Sequence, residues 1–176
     1  LQSTFDLETN QDAIPYFRSL CESYPNGISY SSVRGNNTCS TEFEILSGVS
    51  TALTAKGATI YESNAVPMQT LVSTLKERGY ETVSIHPYYR TGYNRDAVYN
   101  ALGFDKTYFM DDFEDADFIH GFISDKSNYE MLIDCFESSE APLFCFNVTM
   151  QNHAGYEDDG GVADKVTADV HREVKA

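Results

Sequence analysis

The chain has 176 residues, enough for one domain with a substantial core, and its 41% hydrophobic and 13% aromatic content excludes a disordered chain. A formal net charge of −15 argues against a nucleic-acid partner, because an acidic surface repels a phosphate backbone. No apolar run approaches the roughly 20 residues that cross a bilayer, and no signal peptide is visible.

Leu1 to Phe5 reads as the end of a strand. Because the chain opens there on Leu1 and not on Met, it reads as a piece of something longer. Asp12 to Tyr24 reads as a helix with Ile14, Phe17, Leu20 and Cys21 on one face and Pro15 in its first turn. Ile28 to Val33 alternates imperfectly, as a short strand between the Asn26-Gly27 and Gly35-Asn36 turn signals. Thr41 and Glu44 have capping-box spacing, which starts the next helix at Thr41, with Phe43, Ile45 and Leu46 as its apolar patch. Thr38 then falls in the turn before that helix, near its positive end, a place suited to an anion. Residues 49 to 66 have no period and read as a long irregular crossover.

Met68 to Arg78 reads as a helix with Leu71, Val72 and Leu75 inward and Gly79 closing it. Glu81 to His86 follows as a strand, with His86 at its C-terminal end, where open α/β sheets place ligands. Asn94 to Leu102 reads as a helix with Ala97, Val98, Ala101 and Leu102 inward, and Thr107 to Met110 as a strand. The acidic run from Asp111 to Asp117 lacks calcium-loop spacing and reads as a solvated loop. Ser124 to Ser138 reads as a helix capped by Ser124 or Asp125, with Tyr129, Leu132, Ile133 and Phe136 as its apolar face. Leu143 to Val148 is nearly continuously apolar, as expected of a parallel strand buried on both faces. Helix and strand alternate, which gives an α/β fold with helices on both sides of a sheet. Asp158 to Ala176 is polar, with valines four residues apart, and reads as a surface helix or a loosely packed tail. The spacing of Cys21, Cys39, Cys135 and Cys145 suits no zinc site and fixes no disulfide pairing; Cys135 and Cys145 read as buried thiols.

Thr38, His86 and His153 are polar sites brought by the strand pattern to one sheet rim, and the stretch from His86 to Asp96 adds Tyr88, Tyr89, Arg90, Tyr93 and Arg95. Arginine presents paired donors to phosphate oxygens and tyrosine packs the organic part, so this set suits a phosphate ester with a polyol arm. Tyr89 and Arg90 read as surface residues. A threonine hydroxyl is a weak nucleophile that needs a base or a bound metal to draw off its proton.

The segment Asn37-Thr38-Cys39-Ser40-Thr41-Glu42-Phe43-Glu44-Ile45-Leu46-Ser47-Gly48 resembles the nucleophile motif of the lipoteichoic acid synthase and phosphoglycerol transferase family, part of the sulfatase and alkaline phosphatase superfamily. Further blocks match in order: Ser84-Ile85-His86-Pro87, Gly92-Tyr93-Asn94-Arg95-Asp96, Leu102-Gly103-Phe104-Asp105, and Phe146 through His153. The resemblance implies an alkaline phosphatase/sulfatase-like α/β sandwich with a mostly parallel central sheet, incomplete at its C-terminus. It also implies Thr38 as catalytic nucleophile and metal ligand, and His86, Tyr93, Arg95 and His153 as substrate-binding residues. Gln2 stands at the position of the family's metal-binding glutamate, where a neutral amide serves a hard Mn2+ or Mg2+ ion less well than a carboxylate. The family's remaining metal ligands, an Asp-His pair, lie on a strand beyond this sequence, so a fragment with little or no activity is expected.

By the same resemblance the protein is an extracellular domain at the bacterial cell membrane, held there by an upstream anchor. Its partners are a phosphatidylglycerol-like lipid head group and a glycerophosphate polymer. Cys39 lacks the proline and arginine that follow the modified residue of true sulfatases, which disfavours sulfatase chemistry. The competing readings are a non-catalytic glycerophosphate-binding envelope module and a phosphodiesterase or sulfatase-type hydrolase.

Overall fold

The computed structural model describes residues 12, 14–28, 30, 38–53, 60–63 and 69–153. In chain order the described elements are α1 (Pro15–Ser23), α2 (Thr38–Ser47), α3 (Leu71–Glu77), β1 (Glu81–His86), α4 (Arg95–Leu102), β2 (Lys106–Phe109), β3 (Phe118–Ile119), β4 (Phe122–Ile123), α5 (Asp125–Ser138) and β5 (Leu143–Asn147). Short 3-10 turns lie at Thr51–Leu53, Ile60–Ser63, Gly92–Asn94 and Met110–Asp112. The chain divides into two compact units, one of Leu1–Tyr30 with Asp158–Ala176 and one of Ser31–Glu157. The expected strand at the N-terminus, most of the one expected from Ile28 to Val33, and the polar C-terminal stretch lie outside the described residues.

In the first unit, α1 starts on Pro15, where the missing N–H costs nothing. Asp12 Oδ1 accepts from the Ile14 N–H and from Arg18 Nε, both at 3.0 Å, and ties down that start. No residue of α1 is buried, so its expected inward face is at most half-covered. Ile28 and Tyr30, expected in a strand, are exposed and in none.

In the second unit, β1 is the middle of a three-stranded parallel sheet of order β2-β1-β5. The register puts Ser84 opposite Thr107 and Phe146, and His86 opposite Phe109. Since alternate residues share a face, Thr82, Ser84 and His86 lie on the same side as Phe109, Phe144 and Phe146. That side carries the core: Phe109 clusters with Cys39, Phe43 and Leu46 of α2, Val72 of α3, and Val98, Tyr99 and Leu102 of α4, and Phe144 and Phe146 pack against the cluster. The opposite side, with Asn147, receives α5, whose Asn128 Oδ1 accepts from Asn147 Nδ2 at 2.6 Å. Helices therefore cover both faces, as the alternation of elements implied.

Several local expectations change. α2 begins at Thr38, one turn ahead of the expected capping box, and Thr41 is inside the helix. Glu44 Oε1 accepts from the Thr51 N–H at 2.6 Å and the Thr51 hydroxyl at 2.8 Å, tying α2 to the 3-10 turn that follows. The reciprocal cap occurs instead on α3, between Thr70 and Ser73, and the Thr70 hydroxyl also donates to the Leu102 carbonyl at 2.9 Å. Leu71, expected inward, is exposed, and Tyr99 takes the core place expected of Ala97.

On α5 the Ser124 cap holds, accepting from the Ser127 N–H. The helix is rotated so that Asn128 faces the sheet, and Tyr129, Ile133 and Phe136, expected to be buried, are exposed. Polar contacts at Ser124 and Asn128 set that rotation, and apolar periodicity does not. β5 is parallel as expected and half-buried along its length, with β1 as its neighbour among the described strands. The hairpin of β3 and β4 was not expected; His120 (φ 52) and Gly121 (φ 77) supply the left-handed pair that its two-residue turn needs.

Candidate active site

The C-terminal rim of β1 and the start of α2 form one pocket of about 460 Å³, lined among others by Thr38, His86, Tyr93, Arg95, Asn152 and His153. Its size and its mix of apolar walls with a few polar groups are those of a small-ligand site. Each group arrives by a different device. Thr38 is the first residue of α2, exposed, where backbone N–H groups have no partner within the helix. The next residues turn inward: Cys39 is fully buried in the core and Ser40 is buried beside it. Of the three consecutive nucleophile-bearing side chains, Thr38 alone lines the pocket.

His86 ends β1 and is only 1% exposed, and neither ring nitrogen meets a hydrogen-bond partner among the described residues. Burial, and after it the nearby Arg95 charge, push its pKa down to about 3, with the Val148 backbone opposing. The ring is therefore neutral at physiological pH and offers the pocket one donor and one acceptor. An unsatisfied buried polar atom costs about 1–3 kcal/mol, which a ligand reaching His86 would recover in part.

Tyr93 and Asn94 both adopt left-handed backbone (φ 53 and 57), which is costly for a tyrosine. The double turn brings Arg95 in as the first residue of α4 and sets its guanidinium 5.1 Å from the centre of the Tyr93 ring. Arg95 is 3% exposed. Its Nη2 donates to Glu42 Oε1 at 2.6 Å and its Nε to Oε2 at 3.2 Å, and Nη1 reaches the Gly92 carbonyl at 3.4 Å. Burial opposes the charge, but the hydrogen bonds and charge of Glu42 prevail and hold the guanidinium firmly protonated.

His153 closes the pocket on the loop after β5. Its ring lies 5.6 Å from that of Phe122 on the β3–β4 hairpin, which in turn packs 5.9 Å from Tyr88. The same loop is fixed to the start of α5, where Gln151 Oε1 accepts from the Asp125 N–H at 2.8 Å. The structure thus brings together Thr38, His86, Tyr93, Arg95 and His153, while Gln2 lies outside the described residues. Tyr89 is exposed as expected, and Arg90 is half-exposed among Asp96, Asp111 and Asp112. Tyr88, named with the same stretch, also lines the pocket, while sequence reasoning missed Met150 and Asn152 as lining residues and Glu42 as the partner of Arg95. Glu42 stands four residues after Thr38, on the same helical face, a spacing that could have singled it out.

A sulfatase family pattern matches residues 2–172. The chain belongs to the sulfatase family. A Rhizobium meliloti protein with the provisional name cyclic β-1,2-glucan modification protein is 33% identical over 152 residues, covering 86% of this chain and 23% of its own length. The lipoteichoic acid synthase-like YvgJ of Bacillus subtilis is 24% identical over 167 residues, covering 90% of this chain and 27% of its own. Among solved structures, the Streptococcus pyogenes phosphoglycerol transferase GacH in complex with sn-glycerol-1-phosphate superposes with a TM-score of 0.72 at 23% identity, covering 90% of this chain and 43% of that one. The Listeria monocytogenes lipoteichoic acid synthase LtaP gives a TM-score of 0.64 at 22% identity, covering 84% and 37%.

This sulfatase-family chain thus spans about a quarter of the length of the two curated relatives, and its fold is that of the alkaline phosphatase superfamily. Members of the superfamily generally use a divalent metal ion. Among the described residues, however, no group of three or more His, Cys, Asp or Glu could hold one, and Thr38 by itself supplies a single hydroxyl oxygen. The described residues by themselves do not complete a cation site. Among the described residues, no helix is long and apolar enough to cross a membrane.

Proposed function

We propose that the pocket around Thr38 belongs to a phosphoglycerol transferase that uses the Thr38 hydroxyl as its nucleophile. The observation that carries this reading is the division of labour in α2. Thr38 faces the pocket and Cys39 is sealed in the core, so the residue on offer for covalent chemistry is a threonine and not the cysteine of sulfatase chemistry. The Thr38 hydroxyl, whose proton a bound divalent ion would help release to solvent, attacks the phosphorus of a phosphatidylglycerol-like donor through Oγ1. The bond from phosphorus to the lipid oxygen breaks, His153 protonates the departing alkoxide, and an acceptor hydroxyl then displaces the Thr38 oxygen from the phosphoglycerol. Arg95 holds phosphate oxygens, and the start of α2 adds backbone N–H groups to the same charge. Neutral His86, with one donor and one acceptor, matches a glycerol hydroxyl, and Tyr93 packs the polyol. The sn-glycerol-1-phosphate bound to GacH supports this ligand class.

The reading places the pocket on the outer face of a bacterial membrane, on a parent protein with an upstream anchor and an Mn2+ or Mg2+ ion. Thr38 and Gln2 would supply part of the ion's coordination, and this chain alone would turn over little or nothing. The acceptor is a glycerophosphate polymer; the 33% identity to the Rhizobium meliloti protein favours a glucan hydroxyl as a second acceptor class.

The chain is expected to bind sn-glycerol-1-phosphate in a titration, with binding much weakened but still measurable in Arg95→Ala and kept in Thr38→Ala. With a labelled phosphatidylglycerol and Mn2+, robust turnover by the chain alone would overturn its expected inactivity. Turnover that survives Thr38→Ala would remove the nucleophile. Release of free glycerol phosphate, with water as acceptor, would move the protein to the hydrolases.

A further inference from the structure

Glu42 is a carboxylate only 3% exposed, absent from the pocket wall, and without a part in the chemistry proposed above. Both its oxygens are engaged: Oε1 accepts from Arg95 Nη2 at 2.6 Å, and Oε2 accepts from Arg95 Nε at 3.2 Å and from the Tyr99 hydroxyl at 2.9 Å. Tyr99 is itself fully buried, with its ring stacked on Phe109 and edge-on to Tyr61. A buried ion pair of this kind is a poor source of net stability, since well-packed apolar side chains of similar volume do as well or better. What it supplies is direction. The planar guanidinium is gripped along its Nε–Nη2 edge, which leaves the Nη1 edge, with a single 3.4 Å contact to the Gly92 carbonyl, turned to other use. The grip comes from the helix that starts at Thr38, and Thr38 and Glu42, four residues apart, share one face of it.

We infer that Glu42, seconded by Tyr99, is a positioning residue that fixes the Arg95 guanidinium relative to the Thr38 hydroxyl through one turn of α2. The spacing between nucleophile and phosphate-holding group is then a property of a rigid helix and not of two independent loops. This inference rests on the phosphoester reading of the pocket.

Glu42→Asp keeps the charge and shortens the arm by one methylene, and Tyr99→Phe removes one hydrogen bond and leaves the ring. In a calorimetric titration of the chain with sn-glycerol-1-phosphate, Glu42→Asp is expected to weaken binding about tenfold or more, as small displacements of positioning groups do. Tyr99→Phe is expected to weaken it by a smaller factor. In an Arg95→Ala background neither change is expected to weaken binding further. Losses that persist in that background, or unchanged affinity in both variants, would overturn the inference.

If the parent chain shows no affinity for the probe, the functional reading falls and the brace is decided by NMR. Restricted rotation of the Arg95 guanidinium, seen as resolved Nη resonances that average in Glu42→Gln and Tyr99→Phe, keeps it. The same averaged signal in all three proteins removes it.

Discussion

Acid should destabilise this protein through His86 in a window where carboxylates are not yet protonated. The ring is buried, its nitrogens meet no hydrogen-bond partner within bonding distance among the described residues, and its native pKa lies near 3 against about 6.5 in an unfolded chain. Between those values the unfolded chain binds a proton that the folded one does not, so unfolding takes up a proton and stability falls as pH drops. Above about pH 6.5 the group is neutral in both states and the stability it withholds in acid is fully present. Full traversal of the window is worth on the order of 5 kcal/mol, and the part between about pH 8 and pH 5 about 2 kcal/mol.

Urea unfolding at pH steps across that upper part tests it, because ordinary carboxylates titrate lower. The wild-type chain should lose about 2 kcal/mol relative to His86→Asn, whose curve lacks this component. An NMR titration should show the His86 ring neutral throughout. Parallel losses in the two proteins, or a ring that charges near pH 6.5, would show that His86 is hydrated or paired and would refute the reasoning.

Arg95→Ala should destabilise the second unit by roughly 3–5 kcal/mol in the same assay, because Glu42 is left charged and buried without a counterion. Thr70→Ala should cost about 1 kcal/mol or somewhat more, since it removes the α3 cap and the bond to the Leu102 carbonyl; a loss within error would show the cap to be redundant. Tyr93→Gly relieves the left-handed backbone and should leave the melting temperature unchanged or slightly raised while weakening sn-glycerol-1-phosphate binding. A lowered melting temperature with intact binding would show that the ring serves the fold and not the pocket.

The sequence by itself determined the order of the longer elements from α3 onward, the β3–β4 hairpin excepted, and the family, and it named five of the residues that line the pocket. Strand periodicity fixes which residue ends β1, and a motif is a statement about neighbours in the chain, so both survive without knowledge of packing. His86 lies at a strand end because Glu81 to His86 alternates, whereas Thr38, read as the turn before a helix beginning at Thr41, is the first residue of that helix. Tertiary structure alone decided which side of an element meets a partner. α5 shows this: its sequence offers Tyr129, Ile133 and Phe136, yet the Ser124 cap and the Asn128–Asn147 bond turn a polar stripe to the sheet. The pairing of Glu42 with Arg95 joins residues 53 apart in the chain. No local pattern encodes such a contact, because it exists only once α2 and α4 have packed on the same face of the sheet.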